Sequence, residues 1–287
     1  MSAEPEVLRY AAFAAEPGGG NPAGIVLDAS SMTDADMQAT AAEVGFAETA
    51  FVTGRSDDAE PRFALRYFSP IAEVPFCGHA TVATAVALAE REGDGTFHFD
   101  TAVGEVVIHT GQPFPDGPIV ATFTSVDPEV RPLDPAVLTR LLSLLGLEED
   151  ALDTDYPVKV AYAGNRHPIV VLADETVFDG FTFDAASMRA LMDEQGWSGT
   201  VTVLRALDDA RFEARNLFPV GTMTEDPATG SAAAALGGYL RDLGLVEAPA
   251  TVTILQGRHV GRPSSLLVDI PAIGGIRVSG GAAAIAD

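Results

Sequence analysis

The 287 residues are 47% hydrophobic and 20% charged, a composition that fits a soluble globular protein long enough for two ordinary domains. A net charge of −24 argues against nucleic-acid binding, which needs a basic surface, and against attraction to anionic membranes. Cys77 is the only cysteine, so intramolecular disulfides are excluded and a cysteine-based zinc site is not expected.

Residues 1–6 carry neither the basic region nor the apolar core of a signal peptide, so a cytoplasmic protein is the expectation. A strand is predicted over 7–13, then a turn-rich segment over 16–22 and a strand through 25–27. Thr33 is suited to cap a helix running to about Val44, with Asp34 and Asp36 in a first turn where the helix dipole favours acids. Residues 49–53 read as a strand. Residues 62–68 alternate, with Phe63, Leu65 and Tyr67 on one face of a half-buried strand. Pro70 and Pro75 break the chain before a helix predicted over 79–91, and strands follow over 96–100, 105–110 and 119–124. The Pro- and Asp-rich stretch 126–135 is the candidate linker. Beyond it the predicted elements are a helix over 135–145, strands over 158–162 and 169–172, and a helix over 185–194. Strands over 201–206 and 211–217, a helix over 231–243 and strands over 252–255, 266–270 and 276–279 complete the chain.

The order of landmarks repeats. Arg62-Phe63-Ala64-Leu65-Arg66 returns as Arg211-Phe212-Glu213-Ala214-Arg215, Gly20-Asn21 as Gly164-Asn165, and Gly78-His79-Ala80 as Gly230-Ser231-Ala232, each about half a chain later. A repeat of this length means two copies of a domain. The segments 79–88 and 231–240 are mostly Ala, Thr, Val and Leu, and a helix apolar on every side is a buried one. The stretch 80–89 is too short to span a bilayer. The expected fold is α+β, with two pseudo-symmetric domains, each a curved, mostly antiparallel, barrel-like sheet around a central buried helix. The domains are placed at 1–126 and 127–287, with a final strand able to pair with the first.

Several residues could carry chemistry. Gly78-His79 and Gly230-Ser231 open the two buried helices, where free backbone N–H groups and the helix dipole can hold a carboxylate; simple capping is the other reading of each. Glu48 lies between apolar residues, and burial favours the protonated carboxyl form, which suits a group that both takes and gives a proton. A solvent-facing Glu at a strand edge stays open beside that reading. His79 fits a neutral hydrogen-bonding imidazole or a cap. Asp226 fits a substrate contact or an acid welcomed by the following helix. Asn21 and Asn165 suit turns, and Cys77 reads as a small buried hydrophobe. No P-loop, dinucleotide fingerprint, zinc-protease motif or nucleophile elbow is present.

These residues resemble a known family. Gly20-Asn21-Pro22-Ala23, Ala47-Glu48-Thr49-Ala50-Phe51-Val52, Glu73-Val74-Pro75-Phe76-Cys77-Gly78-His79, Glu225-Asp226-Pro227-Ala228-Thr229-Gly230-Ser231 and Leu255-Gln256-Gly257 occur in the order found in PhzF-like proteins, whose fold is that of diaminopimelate epimerase. The resemblance implies that Glu48 is the acid/base, with His79, Asp226 and Ser231 as partners and Gly78, Gly230 and Asn21 as substrate contacts in an interdomain cleft. It implies no metal and no organic cofactor, commonly a homodimer, and isomerisation of a small carboxylate, as with trans-2,3-dihydro-3-hydroxyanthranilate in phenazine biosynthesis. Epimerases of the wider fold use one thiol at each helix start, and the matching positions are expected at Ala83 and Pro227, which closes two-thiol chemistry to this chain. The expected activity is a suprafacial proton shift by one carboxyl group, with domain closure excluding water. An epimerase acting on another small acid, or a non-catalytic small-anion binder, is the alternative.

Overall fold

The computed structural model describes residues 5–56, 61–115, 117–220 and 223–286. Contacts divide the chain into two units, Met1–Thr124 with Ser279–Asp287, and Ser125–Val278. In the first unit the elements run β1 (Leu8–Ala12), β2 (Asn21–Val26), α1 (Asp34–Val44), β3 (Glu48–Arg55), β4 (Arg62–Phe68), β5 (Glu73–Val74), α2 (Gly78–Glu92), β6 (Thr96–Thr101), β7 (Gly104–Gly111) and β8 (Val120–Thr124). The second contributes β9 (Glu129–Pro132), α3 (Pro135–Leu145), β10 (Lys159–Tyr162), β11 (Arg166–Val171), α4 (Glu175–Gly180) and α5 (Ala185–Gln195). It continues through β12 (Val201–Asp208), β13 (Arg211–Val220), β14 (Met223–Asp226), α6 (Gly230–Asp242), β15 (Ala250–Gln256) and β16 (Ser264–Ile270), and β17 (Arg277–Ala284) ends the chain.

The internal repeat is a repeat of topology. In the first unit β1–β2 is antiparallel, β2–β3 parallel, β3–β4 antiparallel, β4–β6 parallel and β6–β7 antiparallel. The second runs β10–β11 antiparallel, β11–β12 parallel, β12–β13 antiparallel, β13–β15 parallel and β15–β16 antiparallel. The short strands β5 and β14 fold back on β4 and β13, and each leads into a buried helix. In the first unit β7 pairs with β8, β8 with β17 and β17 with β1, so eight strands close into a barrel and leave no free edge.

Each sheet wraps a helix of small side chains. Every residue from Ala80 to Ala89 in α2 and from Ala232 to Leu240 in α6 is buried. Small residues let the strands approach closely: a Cβ on Gly238 would lie 2.4 Å from the Pro128 ring, and one on Gly237 2.7 Å from Ile276. Buried Thr81 and Thr84 satisfy their hydroxyls by donating to the carbonyls of Cys77 and Ala80, four residues back. Among the described residues no helix is long and apolar enough to cross a membrane.

Four elements differ from the sequence reading. The expected linker 126–135 contains β9, which pairs with β10 from Lys159↔Pro132 to Tyr162↔Glu129. The helix α4 and the short strands β5 and β14 are additional. The two hairpin strands are each clamped by an arginine: Arg66 to Glu73 (2.7 Å) and, deeper, Arg215 to Glu225 (2.6 Å).

Candidate active site

The first unit brings together Glu48, Cys77 and His79. Glu48 is the first residue of β3 and pairs in register with Ala23 of the parallel strand β2. Residues i and i+2 share a face, so Asn21, buried at the start of β2, lies on the Glu48 face at the same end of the strand pair. Gly20 makes the turn into β2 with φ +79, where a Cβ would lie 2.8 Å from the Ala12 carbonyl oxygen, so only glycine fits. Cys77 precedes α2, and its thiol donates to Glu48 Oε2 at 3.6 Å while lying 3.4 Å from His79 Nδ1. His79 Nε2 is 3.6 Å from the same Glu48 oxygen, with the imidazole 9% and the carboxylate 20% exposed. A carboxyl group, a thiol and an imidazole thus share one half-buried spot, where a proton can pass between them and a ligand.

The two buried helices differ from the others at their starts. Thr33, Asp134, Asp174 and Asp184 cap α1, α3, α4 and α5 with side-chain hydrogen bonds. Neither α2, opened by Gly78, nor α6, opened by Gly230, has a side-chain cap. The first backbone N–H groups of a helix have no intrahelical partner, so an uncapped start is a donor set for an anion.

In the second unit, Ser231 is the second residue of α6, and its Oγ lies 3.1 Å from His167 Nε2. His167 is wholly buried, and burial pushes its pKa down to about 4, so the ring is neutral at ordinary pH. Its Nδ1 lies 3.0 Å from both the backbone N and the Oγ1 of Thr200, and the Thr200 hydroxyl donates to Asn216 Oδ1 at 3.0 Å. Gly199 makes room for the ring, since a Cβ there would stand 2.2 Å from His167 Cε1. Asp226 ends β14 and accepts from Thr229 Oγ1 at 2.5 Å, while Gln256 donates to the Asp226 carbonyl oxygen and accepts from Thr229 N. It therefore sits outside the first turn of α6 and is held in a hydrogen-bond network with Thr229 and Gln256. The adjacent Glu225 pairs with Arg215, which also donates to the carbonyls of Phe178 and Phe181.

Two positions need correction. Ala83 lies within α2 and Pro227 lies before α6, so neither stands at a helix start. The residues that do are Cys77 and Thr229. One helix start thus carries a thiol after all, and two-thiol chemistry stays closed because the second carries a threonine. Cys77, read from the sequence as a packing residue, and His167, which gave no signal there, are the two residues that sequence reasoning missed. Register also locates the counterpart of Glu48. Ile25 pairs with Ala50 in β2–β3 and Ile169 with Thr202 in β11–β12, four residues beyond Asn21 and Asn165 respectively. Two residues before Ala50 and Thr202 stand Glu48 and, just ahead of β12, Thr200, so the second unit has a hydroxyl where the first has a carboxyl group.

The chain is similar to known proteins over nearly its whole length. It is 31% identical over 286 residues to trans-2,3-dihydro-3-hydroxyanthranilate isomerase of Pseudomonas aeruginosa, covering 96% of this chain and 95% of that one. The solved structure of a PhzF-family phenazine biosynthesis protein from Bacillus anthracis superposes with a TM-score of 0.82 at 26% identity, over 98% of this chain and 96% of that chain. A probable proline racemase from Agrobacterium radiobacter K84 shares the fold alone, with a TM-score of 0.60 at 13% identity over 97% and 90% of the two chains. Residues 10–287 match the phenazine biosynthesis-like protein (PhzC-PhzF) family, and with isomerases as its relatives the chain belongs to that family as an isomerase.

Proposed function

We propose that this enzyme moves a proton within a small carboxylate-bearing substrate, with Glu48 as the acid/base and without a metal or organic cofactor. The observation that carries the reading is the Glu48 carboxylate, 3.6 Å from His79 Nε2, beside the uncapped start of α2. The backbone N–H groups at Gly78 and His79 bind the substrate carboxylate, and His79 hydrogen-bonds the carboxyl group that shuttles the proton. Glu48, Cys77 and His79 are gathered at one point, so proton transfer occurs on one face of the substrate, which yields an isomer rather than an inverted centre. Asn21 contacts the substrate beside Glu48. The similarity to trans-2,3-dihydro-3-hydroxyanthranilate isomerase favours an unsaturated cyclic acid as substrate. The same reading carries a cytoplasmic homodimer, whose mass light scattering of the purified chain will measure.

The test is exchange of substrate hydrogen with deuterated solvent, after a screen of small unsaturated carboxylic acids has given a ligand. Glu48→Gln keeps the shape of the side chain and removes its proton transfer, so exchange should fall by at least about 100-fold, within the range that general acid–base catalysis supplies, while binding persists. Exchange at the wild-type rate in that variant would remove Glu48 from the mechanism.

A further inference from the structure

The three side chains at the start of α2 have a second capacity that proton transfer does not use. Glu48 Oε2, Cys77 Sγ and His79 Nε2 form a nearly equilateral triangle, with separations of 3.6 Å, 3.6 Å and 3.7 Å. Four-coordinate zinc holds sulfur at about 2.3 Å and nitrogen or oxygen at about 2.0–2.1 Å, which places its ligand atoms roughly 3.3–3.6 Å apart. The observed triangle matches those edges to within a few tenths of an ångström. Among the described residues no other three His, Cys, Asp or Glu side chains come together in this way.

We infer that Glu48, Cys77 and His79 form a binding site for a borderline-soft divalent cation, zinc above all, whose occupancy takes the Glu48 carboxylate out of proton transfer. The donor set of thiolate, imidazole and carboxylate suits zinc over the hard cations magnesium and calcium, which take oxygen ligands. Three protein ligands leave a fourth position for water or a substrate oxygen, as in open zinc sites. The metal displaces the thiol proton, so that the bound thiolate joins the carboxylate as a second anionic ligand, and the two offset the positive end of the α2 dipole. The net charge of −24 raises the local concentration of cations around the whole chain. The metal acts here as an inhibitor and has no part in the reaction. Only this inhibitory consequence rests on the proposed role of Glu48; the binding site stands on the triangle itself.

Cobalt(II) tests the site directly, because thiolate-to-cobalt charge transfer absorbs in the near ultraviolet and Cys77 is the only cysteine able to produce it. Adding cobalt to the folded, chelator-treated full chain should give that band, saturating at one ion per chain and bleached by zinc. Cys77→Ala should abolish the band. Cys77→Ala and His79→Ala should each weaken zinc binding by more than the roughly 10–100-fold that loss of an outer partner costs. A folded wild-type chain with no charge-transfer band at saturating cobalt overturns the site, whatever the variants do. So does a zinc affinity unchanged in both variants, which would place the ion on surface carboxylates. Substrate hydrogen exchange should fall in step with cobalt occupancy. A band without that loss overturns the inhibitory role, whereas failure of exchange in the metal-free enzyme would instead count against the proposed function.

Discussion

His167 is a buried base that does no visible acid–base work, and burial alone gives it a measurable signature. Its pKa in the fold is about 4, against 6.5 for the ordinary side chain. Between those values the unfolded chain binds the extra proton, so the stability that neutral His167 allows is complete above pH 6.5 and is lost as pH falls toward 4. The loss across the window is about 3 kcal/mol, from the roughly 1.4 kcal/mol that each unit of pKa difference represents. Urea midpoints of the wild type and of His167→Gln at pH 7 and pH 4.5 will isolate it, since the surface carboxylates titrate alike in both. Equal losses in the two proteins would mean that His167 is not held neutral by the fold. The residue escaped sequence reasoning because its partners, Thr200 and Ser231, are far along the chain and no local pattern marks a histidine inside a strand. Cys77 escaped for a different reason. Its proximity to His79 is local, but the approach of Glu48 depends on where β3 begins relative to α2.

At the level of elements, the two arginine clamps make a natural experiment, because the same contact occurs at two depths. Arg66 and Glu73, with side chains 31% and 45% exposed, hold β5 to β4. Arg215 and Glu225, at 8% and 10%, hold β14 to β13. Exposed ion pairs contribute about 0–1 kcal/mol, whereas removing one partner of a buried pair costs about 3–5 kcal/mol because the other charge is left unpaired. Arg215→Leu should therefore lower the denaturation midpoint far more than Arg66→Leu, and similar midpoints for the two variants would contradict the burial argument. The elements legible in the sequence were those with a local signature. Thr33 caps α1 as expected, and residues 62–68 alternate as β4 does. Strand β9 was hidden because its Pro- and Asp-rich composition is that of a loop, and only pairing with β10 makes it a strand. The short strands β5 and β14 exist through their long neighbours and carry too few residues for a period. The helix α4, six residues long and capped by Asp174, is also below the length at which a helical period can be read. Site residues behaved likewise: Glu48, His79 and Ser231 could be nominated from motifs, while their contacts came only from the strand register.

For the molecule as a whole, the return of β17 to the first unit is the decisive feature. Residues from Ser279 onward belong with the first unit, where Gly281 accepts a hydrogen bond from Phe13 N and Ser279 meets Thr122 Oγ1, each at 2.7 Å. A Cβ on Gly280 would stand 2.3 Å from the Phe13 ring, so glycine is required for this approach. Truncation after Val278 should open the barrel at β1 and β8. Amide hydrogen exchange read by mass spectrometry should then show protection lost in β1, β2 and β8 and retained in β11 to β13. Uniform loss over both units, or none, would refute that division. The ribosome meets the same constraint in time. At ~5–20 residues per second, roughly 8–30 seconds pass between emergence of β8 and of the strand that completes its barrel. Throughout that interval the nascent chain presents two unpaired edges, which are templates for pairing with neighbouring chains on the same message. The first unit of this enzyme cannot close until β17 has been made.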